Sequence, residues 1–403
     1  MQTQVGKNLT KDKKSRADKK TVDTVLLIVI LLLAAFGIIM VYSASYHYSM
    51  VNMNKPSYFG FKQLTSVALG IVVMLIVAYN ISYRIFSNMK IAWLCYLVSL
   101  TLSTLVLFIG ETTKGATRWI SIGGFRFQPS ELAKIAVVIL LSAYIVKHRK
   151  EMHKLKYLIR AWLIVLVPTG LIAIENLSSA IVIFLIGTAI LFVASPKVWY
   201  YLLLIALGVV MVVSVYFLAM NTDRSQEIDI PVVGKILKQY RLDRIRVWQD
   251  PWLDPKGKGY QPIQSLFAVG SGGIFGVGLG KGVQKLGFLP EPHNDIIFAV
   301  ICEELGLVGA IVVLLVYSIL VLRGLIIAIH AYDYFGTLVA VGISSMIGIQ
   351  VLINVAVNTN TIPTTGMQLP LISYGGTAVV VLLGGLGILL NISKLGNLKT
   401  GVK

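Results

Sequence analysis

Apolar residues fall in long runs along this chain, separated by shorter polar stretches. Ten runs can be read, at roughly 24–44, 62–81, 91–109, 131–147, 159–175, 177–194, 199–220, 297–322, 335–357 and 375–392. Most approach the ~20 residues that a helix needs to cross a bilayer. Each run is expected to be helical, because a lone segment in lipid must satisfy its own backbone hydrogen bonds. The first run is too long for a signal-peptide core and is expected to span. Very little separates the fifth run from the sixth, so that boundary is the least distinct. The pattern predicts an all-α polytopic membrane protein with about ten transmembrane helices.

Composition agrees. Of 403 residues, 56% are hydrophobic and only 13% charged, against about 25% charged in soluble proteins. The net charge is +18, but no basic soluble module stands out, which argues against nucleic acid as a partner. The basic residues sort by side instead. With a cytoplasmic N-terminus, one set of short connections holds Arg84, Lys90, Lys147, Arg149, Lys150, Lys154, Lys156, Lys197 and Arg323. The C-terminal tail adds Lys394, Lys399 and Lys403 to that side. The opposite short connections hold only Lys55, Lys114, Arg118 and Arg126. This is the positive-inside pattern, and it predicts that both termini are cytoplasmic and meet anionic lipid. Cys95 and Cys302 lie in apolar context and read as packing residues.

The expected organisation is a basic, disordered cytoplasmic tail (1–23), one membrane domain (24–393) and a short basic tail (394–403). Within the domain, residues 221–296 form a large extracellular loop between helices 7 and 8. That loop is basic, yet long loops translocate largely regardless of charge. Its tryptophans, prolines and glycines are not low-complexity, so it is expected to be ordered. The stretch "IQSLFAVGSGGIFGVGLG" (263–280) is too apolar for free solvent and too glycine-rich for a clean span. It is expected at the outer interface, buried against protein. Its glycines follow no strand and precede no Lys-Ser/Thr pair, which argues against a nucleotide loop.

Candidate chemistry gathers on the outer side. In "KGATRWISIGGFRFQPSELAK" (114–134), Glu131 and Lys134 are three apart at a helix start and can pair on one face. They read either as a structural pair or as part of a site. Arg118 can meet phosphate, and Trp119 can anchor at the interface or stack on a sugar. In "YRLDRIRVWQDPWLDPKGKGYQPIQS" (240–265), Arg244 and Arg246 belong to a solvated amphipathic segment or to a cationic site for an anionic head group. In "GFLPEPHNDIIFAVICEELGLVGA" (287–310), Asp295 stands where loop becomes helix. It reads as an N-cap, a role Asn294 could also fill, or as a general base in a partly desolvated cleft. Glu291 would be a second acid or an orienting group. Glu303, eight residues on, lies about 12 Å further along the axis and is a separate buried carboxylate. Glu303 and Glu304 read as proton-transfer or structural groups. His293 and Asp295 lack the further ligands of a transition-metal site, while a Mg²⁺ shared with a pyrophosphate is compatible with the loop. The uncharged "NTNTIPTTGMQLPLISYGG" (358–376) reads as a shaped, hydroxyl-rich outer loop.

Four segments, "ATRWISIGGFRFQPSELAK", "DPKGKGYQPIQSLFAVGSGGIFGVGLG", "QKLGFLPEPHNDIIFAVICEELGLVG" and "IPTTGMQLPLISYGG", occur in order on the predicted outer face. Together they resemble the signatures of the SEDS family (shape, elongation, division and sporulation), which includes FtsW, RodA and SpoVE. "LPEPHND" leans to the division and sporulation branch. The resemblance implies a ten-span fold with both ends in the cytoplasm of a bacterium. It implies a peptidoglycan glycosyltransferase of the cytoplasmic membrane that polymerises lipid II, with a class B penicillin-binding protein docked around the eighth and ninth spans and other division or elongation proteins nearby. The family's essential aspartate falls on Asp295, its loop tryptophan on Trp119, and its SELAK pair on Glu131 and Lys134. Two departures stand out. "IENLSSA" keeps Glu175 but lacks the Asp and Gly of the family's EPDxG-like turn, and "GMQLPLISYGG" differs in detail from common forms. A lipid II flippase and a non-catalytic scaffold for the transpeptidase are the alternatives from other classes.

Overall fold

The computed structural model describes residues 21–113, 116–122, 125–174, 176–195, 199–221 and 239–396. Most of the basic N-terminal tail, Glu175, residues 222–238 of the large loop and the last seven residues lie outside the described residues. In chain order the helices are α1 (Thr24–Met53), α2 (Tyr58–Asn80), α3 (Met89–Ile109), α4 (Pro129–Lys147), α5 (Leu155–Ala173) and α6 (Leu177–Ala194). They continue with α7 (Trp199–Asn221), α8 (Gln239–Gln249), α9 (Tyr260–Ser271), α10 (Ile297–Ile329), α11 (Tyr334–Asn358) and α12 (Thr377–Leu395). All but α8 and α9 are long and apolar enough to cross a membrane, which makes ten candidate spans among the described residues. An even number of crossings returns the chain to its starting side. The connections after α1, α3, α5, α7 and α11 therefore share the opposite side.

The expected runs match these helices, with two corrections. Helices α1 and α10 outlast their predicted ends, reaching 30 and 33 residues. Hydropathy marks the lipid slab, and a helix can continue into the interface beyond it. The all-α expectation also misses a three-stranded antiparallel sheet, β1 (Glu111–Thr113), β2 (Ala116–Ile122) and β3 (Phe125–Phe127), in the order β1-β2-β3. Its "TRWISI" carries β-branched and aromatic residues that favour strands. Outside the hydrocarbon its edges can meet water, so the rule that bars open sheets from lipid does not apply. The short gap between the fifth and sixth runs is real: the Asn176 side chain accepts from the Ser179 N–H at 3.1 Å and starts α6.

Helix α4 forms the centre, with 83% of its spanning window buried inside the protein. It packs against α3, α6, α11 and α5. Outer helices such as α2 and α3 turn Leu and Ile side chains outward, as lipid-facing helices do.

The N-terminal half of α10 holds its two acids beside a break in the helix. Gly306 (φ 67°) breaks the helix. Residues 273–278, the glycine-rich stretch, fill the break. Val277 and Gly278 donate to the Glu303 and Glu304 carbonyls at 3.0 and 2.9 Å. Leu307 and Val308 donate to the Gly273 and Ile274 carbonyls at 3.0 and 3.1 Å. The freed backbone groups are thus satisfied by protein, the condition for broken helices at membrane depth. A Cβ on Gly306 would lie 2.3 Å from the Gly276 nitrogen, so no other residue fits. Beneath this plug, Glu304 forms an ion pair with Lys285 and accepts from the Ser43 hydroxyl at 2.8 Å. Lys285 also donates to Ser43 Oγ at 2.8 Å. Glu303 Oε1 accepts from the Val283 and Gln284 N–H groups at 2.6 and 3.0 Å. Both acids therefore anchor the loop to α10 and α1.

Candidate active site

The loop before α10 is held through its carbonyls. The Tyr374 N–H donates to the His293 carbonyl at 2.9 Å. The Ser373 hydroxyl donates to the Asn294 carbonyl at 2.7 Å. The Asn354 and Asn358 side-chain amides both donate to the Asp295 carbonyl, at 2.8 and 3.0 Å. Within the loop, Glu291 adopts a left-handed conformation (φ 51°), and its carboxylate accepts from the Asn294 amide at 2.8 Å. The His293 ring is buried against Phe59, Tyr48 and Tyr374, with ring centroids 4.2, 5.3 and 5.7 Å away. Burial pushes the Tyr374 hydroxyl above its ordinary pKa, partly offset by Lys62, so it stays protonated at neutral pH.

The residue at the N-cap position of α10 is neither Asp295 nor Asn294. Helix α10 has Ile296 at its N-cap position and no capping side chain of its own. Asn358 supplies the acceptor from another helix, taking the Ala299 N–H at 3.2 Å. Asp295 is half-buried, at the boundary between loop and helix.

A polar cleft opens on the same side, between the starts of α4, α6 and α12, the C-terminal end of α11 and the loop 366–373. Trp119 and Glu131 line it, together with Asn176, Ser179, Gln350 and Gln368. Its floor is apolar, formed by residues such as Leu371 and Leu382. Glu131 takes the Lys134 ammonium at 2.8 Å. Lys134 is 1% exposed and Glu131 18%, so the pair closes one wall with only the carboxylate toward the opening. Pro129 in the first turn fixes this helix start, where a missing N–H costs nothing. An apolar floor with convergent amides, hydroxyls and a tryptophan suits a sugar better than a naked ion.

Asp295 is not a wall of this cleft, but its loop is tied to it. Ser373 lines the cleft and holds the Asn294 carbonyl. Asn354 binds the carbonyl of Met367, another lining residue, at 2.7 Å. Arg244 and Arg246 stand apart on α8. Arg244 donates to the Thr364 carbonyl at 3.0 Å, and Arg246 pairs with Asp243 at 3.2 Å. Trp248 secures the same helix by donating to the Asn360 carbonyl at 2.9 Å. Arg118 lies on β2, and its side chain is outside the described residues. Among the described residues no group of three or more His, Cys, Asp or Glu side chains converges as a metal site. Asp243 is taken by Arg246 and Lys258, and Glu291 accepts from Asn294.

Sequence reasoning missed Gln350, Asn354 and Asn358. They recur every fourth residue along α11, a polar stripe on one face of a buried membrane helix. Amides at that spacing in an apolar run are the signal that could have found them. Lys285, the partner of Glu304, was also missed.

Fold and cleft together define a polytopic membrane protein with a polar site opening on one side of its helices. A family model described as "Cell cycle protein", covering FtsW, RodA and SpoVE, matches residues 23–397, and the chain belongs to this family. The chain is 38% identical over 376 residues to a protein of Geobacter sulfurreducens named probable peptidoglycan glycosyltransferase FtsW, covering 92% of this chain and 95% of the relative. It is 36% identical to stage V sporulation protein E of Bacillus subtilis, covering 93% and 98%. These are the branches to which the loop sequence leaned. Among solved structures, a chain from work titled "Structural coordination of polymerization and crosslinking by a peptidoglycan synthase complex" matches with a TM-score of 0.71 and 26% identity, covering 92% of this chain and 97% of that one. The rod shape determining protein RodA of Thermus thermophilus shares the fold, with a TM-score of 0.62 over 92% of this chain and 96% of that one, at 24% identity.

Proposed function

We propose that this protein is a peptidoglycan glycosyltransferase that polymerises lipid II at the outer face of the bacterial cytoplasmic membrane. One observation carries the reading. A polar, Trp-bearing cleft and a half-buried Asp295 lie on one side of the helices, in a chain whose full-length relatives are named for this activity. In this mechanism a sugar 4-hydroxyl of one lipid II attacks the anomeric carbon of a polyprenyl-pyrophosphate glycan. The new carbon–oxygen bond forms as the bond to pyrophosphate breaks. The hydroxyl proton passes to the Asp295 carboxylate as general base. The electron pair leaves with the pyrophosphate. Attack opposite an α-linked leaving group gives a β-linkage without a covalent enzyme intermediate.

Trp119 offers a face to the sugar, and Glu131 with Lys134 shapes the cleft wall. Arg118, Arg244 and Arg246 are the cations assigned to the departing pyrophosphate, whose charge develops in the transition state. Both termini lie in the cytoplasm, consistent with the sorting of Lys and Arg. A class B penicillin-binding protein is the proposed partner, supported by the synthase-complex neighbour. Exposed Leu307, Val308, Ile311 and Leu315 on α10 provide an apolar face for its membrane helix.

The test is polymerisation of lipid II by the purified protein, alone and with its transpeptidase. Glycan ladders support the enzyme. Absence of ladders with a proven partner, together with lipid II transport in vesicles, would move the assignment to a flippase.

A further inference from the structure

The carbonyl clamp on the Asp295 loop has a specific geometry. Three successive carbonyls, at His293, Asn294 and Asp295, each accept a hydrogen bond from the 373–374 turn or from α11. The Asp295 carbonyl takes two, both from asparagine side chains that are 0% and 1% exposed. Two buried amides on one carbonyl exceed what backbone satisfaction requires. Asn358 uses its other end to cap the α10 N-terminus, and Asn354 reaches Met367 on the cleft wall. The two side chains are also bonded to each other, Nδ2 of Asn358 to Oδ1 of Asn354 at 3.3 Å.

We infer that Asn354 and Asn358 are positioning residues for the general base. They fix the Asp295 backbone relative to the cleft, and so fix where its carboxylate stands. A buried amide pair suits this work. Its donors stay neutral at every pH, and each bond it makes is satisfied at both ends. Chemistry is sensitive to such placement, because a shift of about 1 Å in a reacting group costs on the order of 10²-fold in rate. Ser373 is a third, weaker member, holding the preceding carbonyl from the cleft side. This inference rests on the reading of Asp295 as base.

The experiment compares Asn354→Asp, Asn358→Asp and Ser373→Ala with wild type in the full-length protein bound to its transpeptidase. Steady-state lipid II polymerisation and thermal unfolding are measured on the same preparations. Each Asn→Asp change keeps the shape and an acceptor but loses amide donors to the Asp295 carbonyl. The expected result is a fall in kcat of about tenfold or more for each asparagine variant, with KM within about twofold. Ser373→Ala removes two neutral hydrogen bonds, one to the Asn294 carbonyl and one from the Leu369 N–H, and is expected to lower kcat by a few-fold with unchanged KM. The pH–rate profile of Ser373→Ala keeps the wild-type limbs, since the base itself is retained. Wild-type kcat in folded asparagine variants overturns the inference, as does a loss confined to KM. If the asparagine variants do not fold, wild-type kcat in Ser373→Ala overturns it alone. An Asp295→Asn control separates the two readings. An active Asp295→Asn removes the base, whereas an inactive one beside fully active clamp variants removes only the clamp.

Discussion

Two lysine–glutamate pairs in this protein look alike in sequence terms and differ in setting. Lys285 and Glu304 are 4% and 0% exposed, sealed with Ser43 beneath the plug that fills the break in α10. Lys134 and Glu131 are 1% and 18% exposed, and the carboxylate lines a polar cleft. A sealed pair can only hold structure, because nothing reaches it. A pair with one end in a cleft can hold structure and also meet a ligand. The same contrast separates the buried Glu303 and Glu304 from Asp295, which stays half-buried just before the same helix. Carboxylates in a membrane protein are thus sorted by access, not by depth along the helix alone.

The contrast is breakable by mutation. Glu304→Ala strands the Lys285 charge in a sealed site and is expected to destabilise by about 3–5 kcal/mol, read as loss of folded protein in a thermal scan. The double change Lys285→Met with Glu304→Leu removes both charges and is expected to recover most of that loss. Glu131→Gln should cost less stability, about 1.5–3 kcal/mol, because the Gln amide oxygen still accepts from Lys134 and the changed group faces the cleft. It should also slow polymerisation, which a matched loss at Glu304 does only through unfolding. Comparing turnover per folded molecule in the two variants is the check. Trp119→Ala should leave stability nearly intact and raise KM for lipid II by roughly tenfold, the scale of a lost aromatic face of about 1–1.5 kcal/mol. Equal losses of stability at Glu131 and Glu304 would erase the distinction between them.

Much of this was legible in the sequence, for a physical reason. Hydropathy is a property of each segment by itself, so ten spans could be read before any packing was known. Trp119 and Glu131, grouped in one sequence stretch, line one cleft in the structure. What stayed hidden depends on contacts between distant segments. Lys285 pairs with a residue 19 positions away across a loop. Asn354 and Asn358 acquire meaning only when a loop some 60 positions earlier is laid on them. Arg244 reaches the Thr364 carbonyl and Arg246 pairs with Asp243, contacts that sequence spacing alone does not show. The small sheet was missed because expectation in a membrane chain favoured helix, although "TRWISI" is rich in β-branched and aromatic residues.

The most direct measurement is Asp295→Asn, with lipid II turnover and thermal unfolding read on one preparation bound to the transpeptidase. The expected result is an unfolding midpoint within a few degrees of wild type and a fall in turnover of about 10²–10⁴-fold, the loss of a general base. Glycan ladders equal to wild type from the folded variant would contradict it and return Asp295 to a purely structural place in the loop.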